Sequence, residues 1–559
     1  MNMPPQIENA ATNNTPADDT VLTAQNPNLD RDAESEDFSD ITDSAQGVLL
    51  ASILIVALCG IVYELIIGAV SSYLLGNSIY QFSITVGFFM FAMGIGSYLS
   101  QYIRNNLIHY FVIIEIILAV VGGICSISLF LIFPFSPYMY RTVMMAFIIA
   151  IGTLVGLEIP ILTRIMAQAE GTRRSIAKVL SFDYIGALIG SVAFPLLLLP
   201  SLGLVRASFA IGLINICVAL LTILFMRRHL KHPKAMLAVV LAIAISLTAL
   251  ITLGSRISAA AQQHLYFDQV IWKKDTPYQS LTMTQSYGNN DLRLFIDGHL
   301  QFSESDEHRY HETLVHSILG LEGRRENILV LGGGDGLAVR EILKYKDVKH
   351  IDLVDLDPAM TELGAEFPPL VKLNKSSLAN PKVTIYNQDA FVFIKDKGRT
   401  YDRVIIDMPD PHNEAISKLY AIEFYAMISQ RMHDDAVLIS QSSSPYFARN
   451  AFWCVGATLA EIFPQTQALQ VTTPSFGVWG FQTAAKREGR LEGAIDLQGV
   501  KTRFWTPNIL SASQVFGKDI DMPAAMKADP KINSIFEPII YQLYLKDVTT
   551  SAVKRAEES

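Results

Sequence analysis

Seven long apolar runs in the first half of the chain constrain its fold more than any other feature. Each is close to or above the roughly 20 residues that a helix needs to cross a bilayer. They occupy residues 47–75, 81–101, 107–133, 139–165, 182–200, 204–226 and 235–254. A large buried soluble bundle is the alternative, but it would need polar helix faces, which these runs lack. The sequence therefore predicts a membrane domain of about seven helices over residues 47–254.

Small and ionisable residues within these runs add detail. Gly94-Ile95-Gly96, and Gly186-Ala187 with Gly190, suit close packing of helices in lipid. Carboxylates at bilayer depth are costly and often mark a functional cavity, but they also occur protonated or paired, fixing helix contacts. Both interpretations stay open for these carboxylates, and a local pair between Glu158 and Arg164 is one option. The carboxylates concerned are Glu64, Glu115, Glu158 and Asp183.

The basic residues between the runs bear on orientation. Nine of them fall in the second, fourth and sixth loops with their flanking ends: Arg104; Arg164, Arg173, Arg174 and Lys178; Arg227, Arg228, Lys231 and Lys234. The positive-inside rule places these loops in the cytoplasm. Seven crossings would then put residues 255–559 on the other side, whereas an eighth crossing, or a run that does not span, would reverse this. We expect a multi-pass protein of the cell inner membrane, with the side of its C-terminal half left open.

The net charge of −9 comes from the N-terminal tail. Residues 1–46 hold ten acidic residues and one basic residue, Arg31, and the rest of the chain is balanced. This polar tail cannot bury enough apolar surface to order itself, so we expect it to be disordered. The balanced remainder shows no basic excess, which argues against a nucleic-acid partner. The four cysteines form no CxxC pair, so we expect buried packing and neither disulfides nor a metal site.

The C-terminal half has the composition of a soluble α/β protein. Residues 278–302 alternate as a β-hairpin with its turn at 287–291, and a helix is predicted at 306–320. The predicted strands that follow are 327–331, 350–354, 382–386, 402–407 and 435–440, and the predicted helices are 336–345, 358–366 and 418–432. This alternation predicts a mostly parallel Rossmann-like sheet with ligands at the carboxyl ends of its strands. We divide this half into a linker with a hairpin subdomain (255–320), a Rossmann-like domain (321–545) and a tail (546–559).

Glycines and carboxylates gather at those strand ends. The turn Gly332-Gly333-Gly334-Asp335-Gly336 lets a ligand approach the backbone and opens a helix. Asp355 stands about 20 residues on, where an acidic residue commonly accepts ribose hydroxyls. Asp389, Asp407 and Asp410 end later strands, and Asp357 before Pro358 is interpreted as a helix cap. The set favours a nucleoside ligand over aspartates that only cap helices.

Asp335 indicates the charge of that ligand. It would repel a pyrophosphate, and it is poorly matched to the carboxylate of S-adenosylmethionine. Decarboxylated S-adenosylmethionine carries a sulfonium and an ammonium and no negative charge. The aspartates of this edge therefore favour a cationic ligand and polyamine chemistry.

At this point the chain resembles the spermidine synthase-like polyamine aminopropyltransferases, in particular their membrane-embedded branch. The resemblance covers about residues 265–485, and more loosely extends to 545. GGGDG at 332–336 is similar to the family's nucleoside turn, residues 296–312 to its LDGxxQ…DE…YHE block, Tyr278-Gln279 to its strand dipeptide, and DMPDP at 407–411 to its DxxDP loop.

The resemblance implies roles for individual residues. The donor nucleoside would be held by Gln279, Gly332, Gly334, Asp335, Asp355, Asp389 and Ala390. Asp407 would be the catalytic base. The acceptor amine would be held by Tyr310, His311, Asp335 and Asp410. It also implies decarboxylated S-adenosylmethionine as co-substrate, no cofactor or metal, and a homodimer.

Three departures from the family pattern affect the substrates. Asp389-Ala390 replaces Asp-Gly, His412-Asn413-Glu414 replaces a Gly-Pro segment over the adenine, and Thr473-Pro474 replaces a Tyr-Pro that helps to hold the acceptor. The donor site is thus expected to be intact, with putrescine as the expected acceptor and spermidine as product. A methyltransferase that uses S-adenosylmethionine, and a membrane polyamine sensor or transporter, are the alternatives.

Overall fold

The computed structural model describes residues 43–75, 78–134, 136–170, 172–263, 265–288, 290–396 and 398–558. Residues 1–42 of the predicted disordered tail lie outside the described residues, and its last four residues, 43–46, are helical. Helices make up the N-terminal half of the described chain and an α/β domain the C-terminal half.

Every apolar run of the sequence forms helix. The helices are α1 (Asp43–Leu75), α2 (Ser78–Leu99), α3 (Leu107–Ile132), α4 (Pro137–Glu170), α5 (Thr172–Ala193), α6 (Leu199–Met226) and α7 (Pro233–Gln263). Six helical stretches of the described chain are long and apolar enough to cross a membrane. One of them, Thr172–His229, is 58 residues long and contains both α5 and α6. That stretch contains two of the predicted runs, and the backbone leaves the helical conformation between them at Gly203 (φ 68°, ψ 175°).

Contacts between the helices show that their directions alternate. Helix α3 runs parallel to α1 (Tyr63 contacts Gly122, and Tyr73 contacts Phe130), whereas α4 runs antiparallel to α1 (Gly60 with Val155, Ser71 with Met144). Helix α2 is parallel to α4 (Phe89 with Gly152, Met93 with Gly156), and α5 is parallel to α1 (Leu54 with Gly186, Leu58 with Gly190). Helix α6 is antiparallel to α3 (Gly123 with Ser208, Ala119 with Gly212), and α7 is antiparallel to α6 (Arg206 with Gly254, Gly212 with Leu247). The chain therefore reverses between α5 and α6, and α7 ends on the same side of the bundle as α1.

Glycines allow the closest of these approaches. A Cβ atom on Gly96 would overlap the carbonyl oxygen of Thr153 on α4, and one on Gly186 would overlap that of Leu54 on α1. A Cβ atom on Gly94 would meet nothing within 4 Å. Within the Gly94-Ile95-Gly96 motif, the close packing thus belongs to Gly96.

Two carboxylates lie unpaired in the core of the bundle. Glu115 and Glu158 are fully buried, and their oxygens have no hydrogen-bond partner among the described residues. The suggested pair between Glu158 and Arg164 is wrong. The guanidinium of Arg164 instead donates to the carbonyl oxygens of Ser100 and Ile103, just beyond the end of α2.

A small antiparallel sheet connects the two halves. Its strands are β1 (Gln269–Asp275), β2 (Ser280–Gln285), β3 (Leu292–Ile296) and β4 (His299–Ser303), paired in chain order. The predicted hairpin is thus part of a four-stranded sheet. Its second arm is split by a two-residue turn in which Asp297 (φ 50°) and Gly298 (φ 80°) both take left-handed backbone angles.

A seven-stranded sheet forms the core of the C-terminal domain. Its strands are β5 (Asn327–Gly332), β6 (His350–Asp355), β7 (Val383–Asn387), β8 (Tyr401–Asp407), β9 (Met432–Gln441), β10 (Gln465–Thr473) and β11 (Gly477–Ala485). The spatial order is β10-β11-β9-β8-β5-β6-β7, in which β7, β6, β5, β8 and β9 are parallel. The predicted Rossmann-like fold is confirmed, and β10 and β11 extend it as an antiparallel edge.

Helices cover this sheet and fill its crossovers. They are α8 (Glu307–Leu319), α9 (Leu337–Ile342), α10 (Pro358–Glu366), α11 (Pro368–Asn374), α12 (Ala390–Lys395), α13 (Glu414–Ser417), α14 (Ile422–Gln430), α15 (Arg449–Ala460), α16 (Pro507–Ser513), α17 (Ala524–Ala528) and α18 (Ile540–Glu558). Helix α18 continues across the predicted domain limit at residue 545, while the other limits stay predictions.

The C-terminal half sits on the side of the bundle where α1 and α3 end. The Lys273 ammonium on β1 donates to the hydroxyl of Tyr73 on α1 at 3.4 Å. A cavity of about 490 Å³ lies at this junction, lined by residues of α1 and by Tyr278, Asp297, His299 and His412. These four also line the larger cavity of the C-terminal domain.

Candidate active site

A cavity of about 1080 Å³ opens at the carboxyl edge of the large sheet. It lies between β5 and β8, where the strand order reverses and where Gly332 pairs with Asp407. Open α/β sheets bind ligands in this position. All eleven residues predicted for the site line the cavity: Gln279, Tyr310, His311, Gly332, Gly334, Asp335, Asp355, Asp389, Ala390, Asp407 and Asp410.

The glycine-rich turn lies against the ends of two strands and binds one of their carboxylates. Gly332 has a φ of 81°, and a Cβ atom there would overlap the carbonyl oxygen of Asp407. The Gly334 amide donates to Asp355 Oδ2 at 3.0 Å. Only glycine allows the turn to lie this close to both strand ends.

Asp335 turns its carboxylate into the cavity. Its Oδ1 accepts from the Leu337 amide at 2.8 Å, and the side chain is buried. Burial raises the pKa of Asp335, while the nearby His311 lowers it. A cation near Asp335 would offset that cost of burial.

Asp407, the predicted base, is held by a phenol. The Tyr310 hydroxyl donates to its Oδ1 at 2.6 Å. Burial raises the pKa of Asp407 to about 6, His311 opposes that shift, and the charge of Asp335 adds to it. At neutral pH this carboxylate is therefore largely ionised and close to the range in which a general base works best.

His311 is a buried cation in this otherwise acidic site. Its Nδ1 lies 2.8 Å from Glu307 Oε2, and Arg340 binds both oxygens of Glu307 at 3.0 and 2.9 Å. Burial lowers the pKa of His311, but the hydrogen bond and charge of Glu307 outweigh it and raise that pKa to about 9. With Nδ1 committed to Glu307, the protonated ring keeps Nε2 as a second donor, and its charge lowers the pKa of both Asp335 and Asp407.

Asp410 is held from two directions. Gln441 Nε2 donates to its Oδ1 and the Tyr544 hydroxyl to its Oδ2, each at 3.0 Å. Burial raises the pKa of Asp410, and both hydrogen bonds oppose that shift. Sequence reasoning missed both partners. Gln441 ends β9, so the strand-end rule could have found it, whereas no motif marks Tyr544.

The residues predicted to hold the donor nucleoside also serve the fold. Asp355 accepts from the amides of Gly334 and Asp357, and burial raises its pKa to about 6. Asp357 caps α10 as predicted, through the Ala359 amide. Its other oxygen accepts from Gln279 Nε2 at 3.1 Å, so the structure joins Gln279 to this cap.

Asp389 combines a cap with an ion pair. Its Oδ1 accepts from the Phe391 amide at the start of α12, and its Oδ2 lies 2.6 Å from the ammonium of Lys418. Lys418 lines the cavity and was not predicted. Ala390 follows Asp389 as a buried residue of that helix.

Of the segments that depart from the family pattern, His412-Asn413 lines the cavity and Thr473-Pro474 does not. His412 stacks obliquely with His299 at a ring-centroid distance of 5.7 Å, beside the junction with the helices. Thr473 is fully buried and is not among the residues that line the cavity, whereas Ser475, Phe476 and Trp479 are. This part of the cavity wall is thus formed by residues that no motif identified.

Comparison with known proteins shows extensive similarity. The family model "Spermine/spermidine synthase domain" matches residues 307–491. Proteins named polyamine aminopropyltransferase are 40% identical in Oceanobacillus iheyensis (88% of this chain, 96% of that protein) and 44% identical in Leptospira interrogans (79% and 88%). One from Streptomyces coelicolor is 36% identical over 90% of this chain and 95% of its own. These matches extend well beyond the α/β domain into the helical half.

Solved structures match the C-terminal half more distantly. Spermidine synthase from Thermotoga maritima is 21% identical, with a TM-score of 0.41, over 44% of this chain and 85% of that chain.

Proposed function

The chain belongs to the polyamine aminopropyltransferases, and from that premise we propose how it works. An aminopropyl group passes from decarboxylated S-adenosylmethionine to an amine, and methylthioadenosine is released. The observation that carries the proposal is the acidic cavity itself, in which Asp335, Asp355, Asp407 and Asp410 converge on one strand edge. Such a site suits two organic cations and disfavours phosphates.

The donor lies across the glycine-rich turn. Asp355 accepts the ribose hydroxyls, and Asp389, with Gln279 and Ala390 nearby, bounds the adenosine. Asp335 faces the aminopropyl ammonium. The carboxylate of S-adenosylmethionine would meet Asp335 at this point, which opposes methyl transfer from that compound.

The chemical step is a displacement at carbon. The lone pair of a neutral amine attacks the carbon next to the sulfonium, a C–N bond forms, and the C–S pair returns to sulfur as a thioether. Asp407 accepts the proton that the new ammonium loses. Positioning the two reactants can supply roughly 7–11 kcal/mol, and general-base help about 10²–10⁴-fold in rate.

Tyr310 and His311 prepare Asp407 for that role. The Tyr310 hydroxyl fixes one carboxylate oxygen at 2.6 Å, which leaves the other for the amine. The charge of His311 keeps the pKa of Asp407 from rising further in a site that already holds Asp335. Without such a cation, adjacent buried carboxylates would tend to share protons.

Asp410 receives the acceptor amine, and putrescine is the acceptor that we propose, giving spermidine.

The helical half lies in the cell inner membrane as a multi-pass bundle in contact with lipid. Its α2 and α7 expose apolar side chains, among them Phe88, Met90, Phe91, Val239 and Ile245. A homodimer completes the proposal, on the resemblance to soluble relatives alone.

Turnover by the purified full-length protein in detergent tests the proposal. Decarboxylated S-adenosylmethionine is offered with a panel of di- and polyamines, and methylthioadenosine and the new amine are measured by mass spectrometry. We expect equal amounts of both products, with putrescine the best acceptor, and a loss of about 10²–10⁴-fold in Asp407→Asn. Amine binding without turnover would overturn the proposal and favour a sensor or transporter.

A further inference from the structure

We propose that Tyr544, on the C-terminal helix α18, is a positioning residue that completes the amine-acceptor site. The inference rests on the proposed function. It concerns a residue outside the matched family domain, which ends at residue 491.

The contact is direct and specific. The Tyr544 hydroxyl donates to Asp410 Oδ2 at 3.0 Å, while Gln441 holds the other oxygen. Tyr544 and Val548, one helical turn apart, both line the cavity. One face of α18 thus forms part of the wall at the acceptor end.

Helix α18 is anchored so that this face stays in place. Asp547 accepts from the backbone amide and the side-chain amide of Asn450 at the start of α15, each at 2.6 Å. On the other side, the Tyr541 hydroxyl donates to Glu414 of α13 at 2.8 Å. Helix α13 belongs to the loop that follows Asp410, so α18 ties that loop to the body of the domain.

The chemistry suits a neutral donor beside a carboxylate. Burial and the charge of Asp410 raise the pKa of Tyr544, so its phenol stays protonated. A phenol donates one hydrogen bond and has lone pairs left to accept another. It can therefore fix Asp410 Oδ2 and still accept an N–H from the incoming ammonium or amine.

The geometry assigns Tyr544 to the acceptor and not to the donor. Its bonded partner is Asp410, whereas the donor-side carboxylates Asp355 and Asp389 have backbone and lysine partners of their own. Removing only the hydroxyl should loosen Asp410 and weaken the binding of amine. Binding of the nucleoside should be unaffected.

Steady-state kinetics of Tyr544→Phe test this assignment. We expect the KM for the amine to rise about tenfold, as fits the loss of a hydrogen bond to a charged group. The KM for decarboxylated S-adenosylmethionine and the Kd for methylthioadenosine should stay within about twofold of wild type. The control is Thr550→Val, which removes a hydroxyl from an exposed position of the same helix outside the cavity, where it donates to the Lys546 carbonyl oxygen, and should leave both KM values unchanged.

Two results would overturn the assignment. One is an amine KM that does not change in Tyr544→Phe. The other is a general effect on the domain, seen as a parallel rise of the donor and amine KM values or as the same change in Thr550→Val, which would indicate a merely structural role. Calorimetric binding of putrescine in the presence of methylthioadenosine keeps the test independent of turnover. If wild type turns over no amine, the proposed function fails, but a tenfold weaker Kd in Tyr544→Phe alone would still support the role of Tyr544.

Discussion

At the scale of single residues, the site balances several buried carboxylates against one buried cation. Burial raises the pKa of Asp407 to about 6, and the Glu307 partner raises that of His311 to about 9. Between these two values Asp407 is ionised and His311 is charged. The pH range in which Asp407 is ionised thus depends on the charge of His311, whose Nδ1 is bonded to Glu307 and not to Asp407.

This balance predicts a pH dependence. Since only ionised Asp407 can accept a proton, kcat/KM should rise with pH through about 6. His311 lowers the pKa of Asp407, so His311→Gln should move this rise to higher pH. The measurement is the pH profile of kcat/KM for the amine. His308→Gln, on the same helix but outside the cavity lining, is the control and should keep the wild-type profile. A His311→Gln profile that coincides with wild type would contradict the account.

How far the sequence predicts the site depends on the kind of residue. The aspartates at strand ends and the glycine turn carry recognisable spacing, and the aspartates and the first three glycines of the turn line the cavity. Lys418 and Tyr544 carry no such signal. Lys418 directly follows α13 and Tyr544 lies on α18, and both residues reach the cavity only because these helices fold back over the strand edge. Local sequence patterns do not encode contacts between residues so distant in the chain.

At the scale of elements, the helical half relies on backbone approach at glycines. Helices α2 and α4 run parallel and meet at Gly96, where a Cβ atom would overlap the Thr153 carbonyl oxygen. In the membrane that we propose for this half, no hydrophobic driving force would draw the helices together, so such close packing would contribute much of their association.

Gly96→Ala should therefore separate α2 from α4. We expect a loss of about 1–3 kcal/mol, the usual cost of overpacking, seen as a lower thermal unfolding midpoint in detergent. Gly94→Ala, two residues away and facing open space, should be neutral or slightly stabilising because alanine favours helix. Equal midpoints for the two variants would show that the helices do not pack as described.

Elements were predictable where one local rule decides them. The apolar runs predicted the helices of the N-terminal half, and the alternation of strand and helix patterns predicted the parallel strands of the C-terminal half. The turn between β3 and β4 was missed although Asp297-Gly298 is a typical hairpin pair. Strands β10 and β11 were also missed, since they pair only with each other and with β9 at an edge that no motif marks.

At the scale of the whole molecule, the alternating helices place the basic loops and the catalytic domain on opposite faces of the bundle. Arg173 and Arg174 lie in the first turn of α5, at one end of the bundle. The catalytic domain lies at the other, where Tyr73 meets Lys273. The positive-inside rule then predicts basic loops in the cytoplasm and the catalytic domain on the far side of the membrane.

Cysteine labelling tests this topology. In a Cys217→Ser background, Arg173→Cys and Lys546→Cys are treated with an impermeant maleimide in vesicles of known orientation. We expect Arg173→Cys to label only from the cytoplasmic face and Lys546→Cys only from the other face. Labelling of both from one face would mean that a helix does not span.

The charge of the donor is the central claim of the account, and its most direct test is a comparison of two ligands. Calorimetry would measure Kd for decarboxylated S-adenosylmethionine and for S-adenosylmethionine, in wild type and in Asp335→Asn. We expect wild type to prefer the decarboxylated compound by at least about tenfold, or 1.4 kcal/mol, and Asp335→Asn to lose most of that preference. Equal binding of the two ligands by wild type, or a preference unchanged in Asp335→Asn, would contradict the claim that this carboxylate selects a cationic donor.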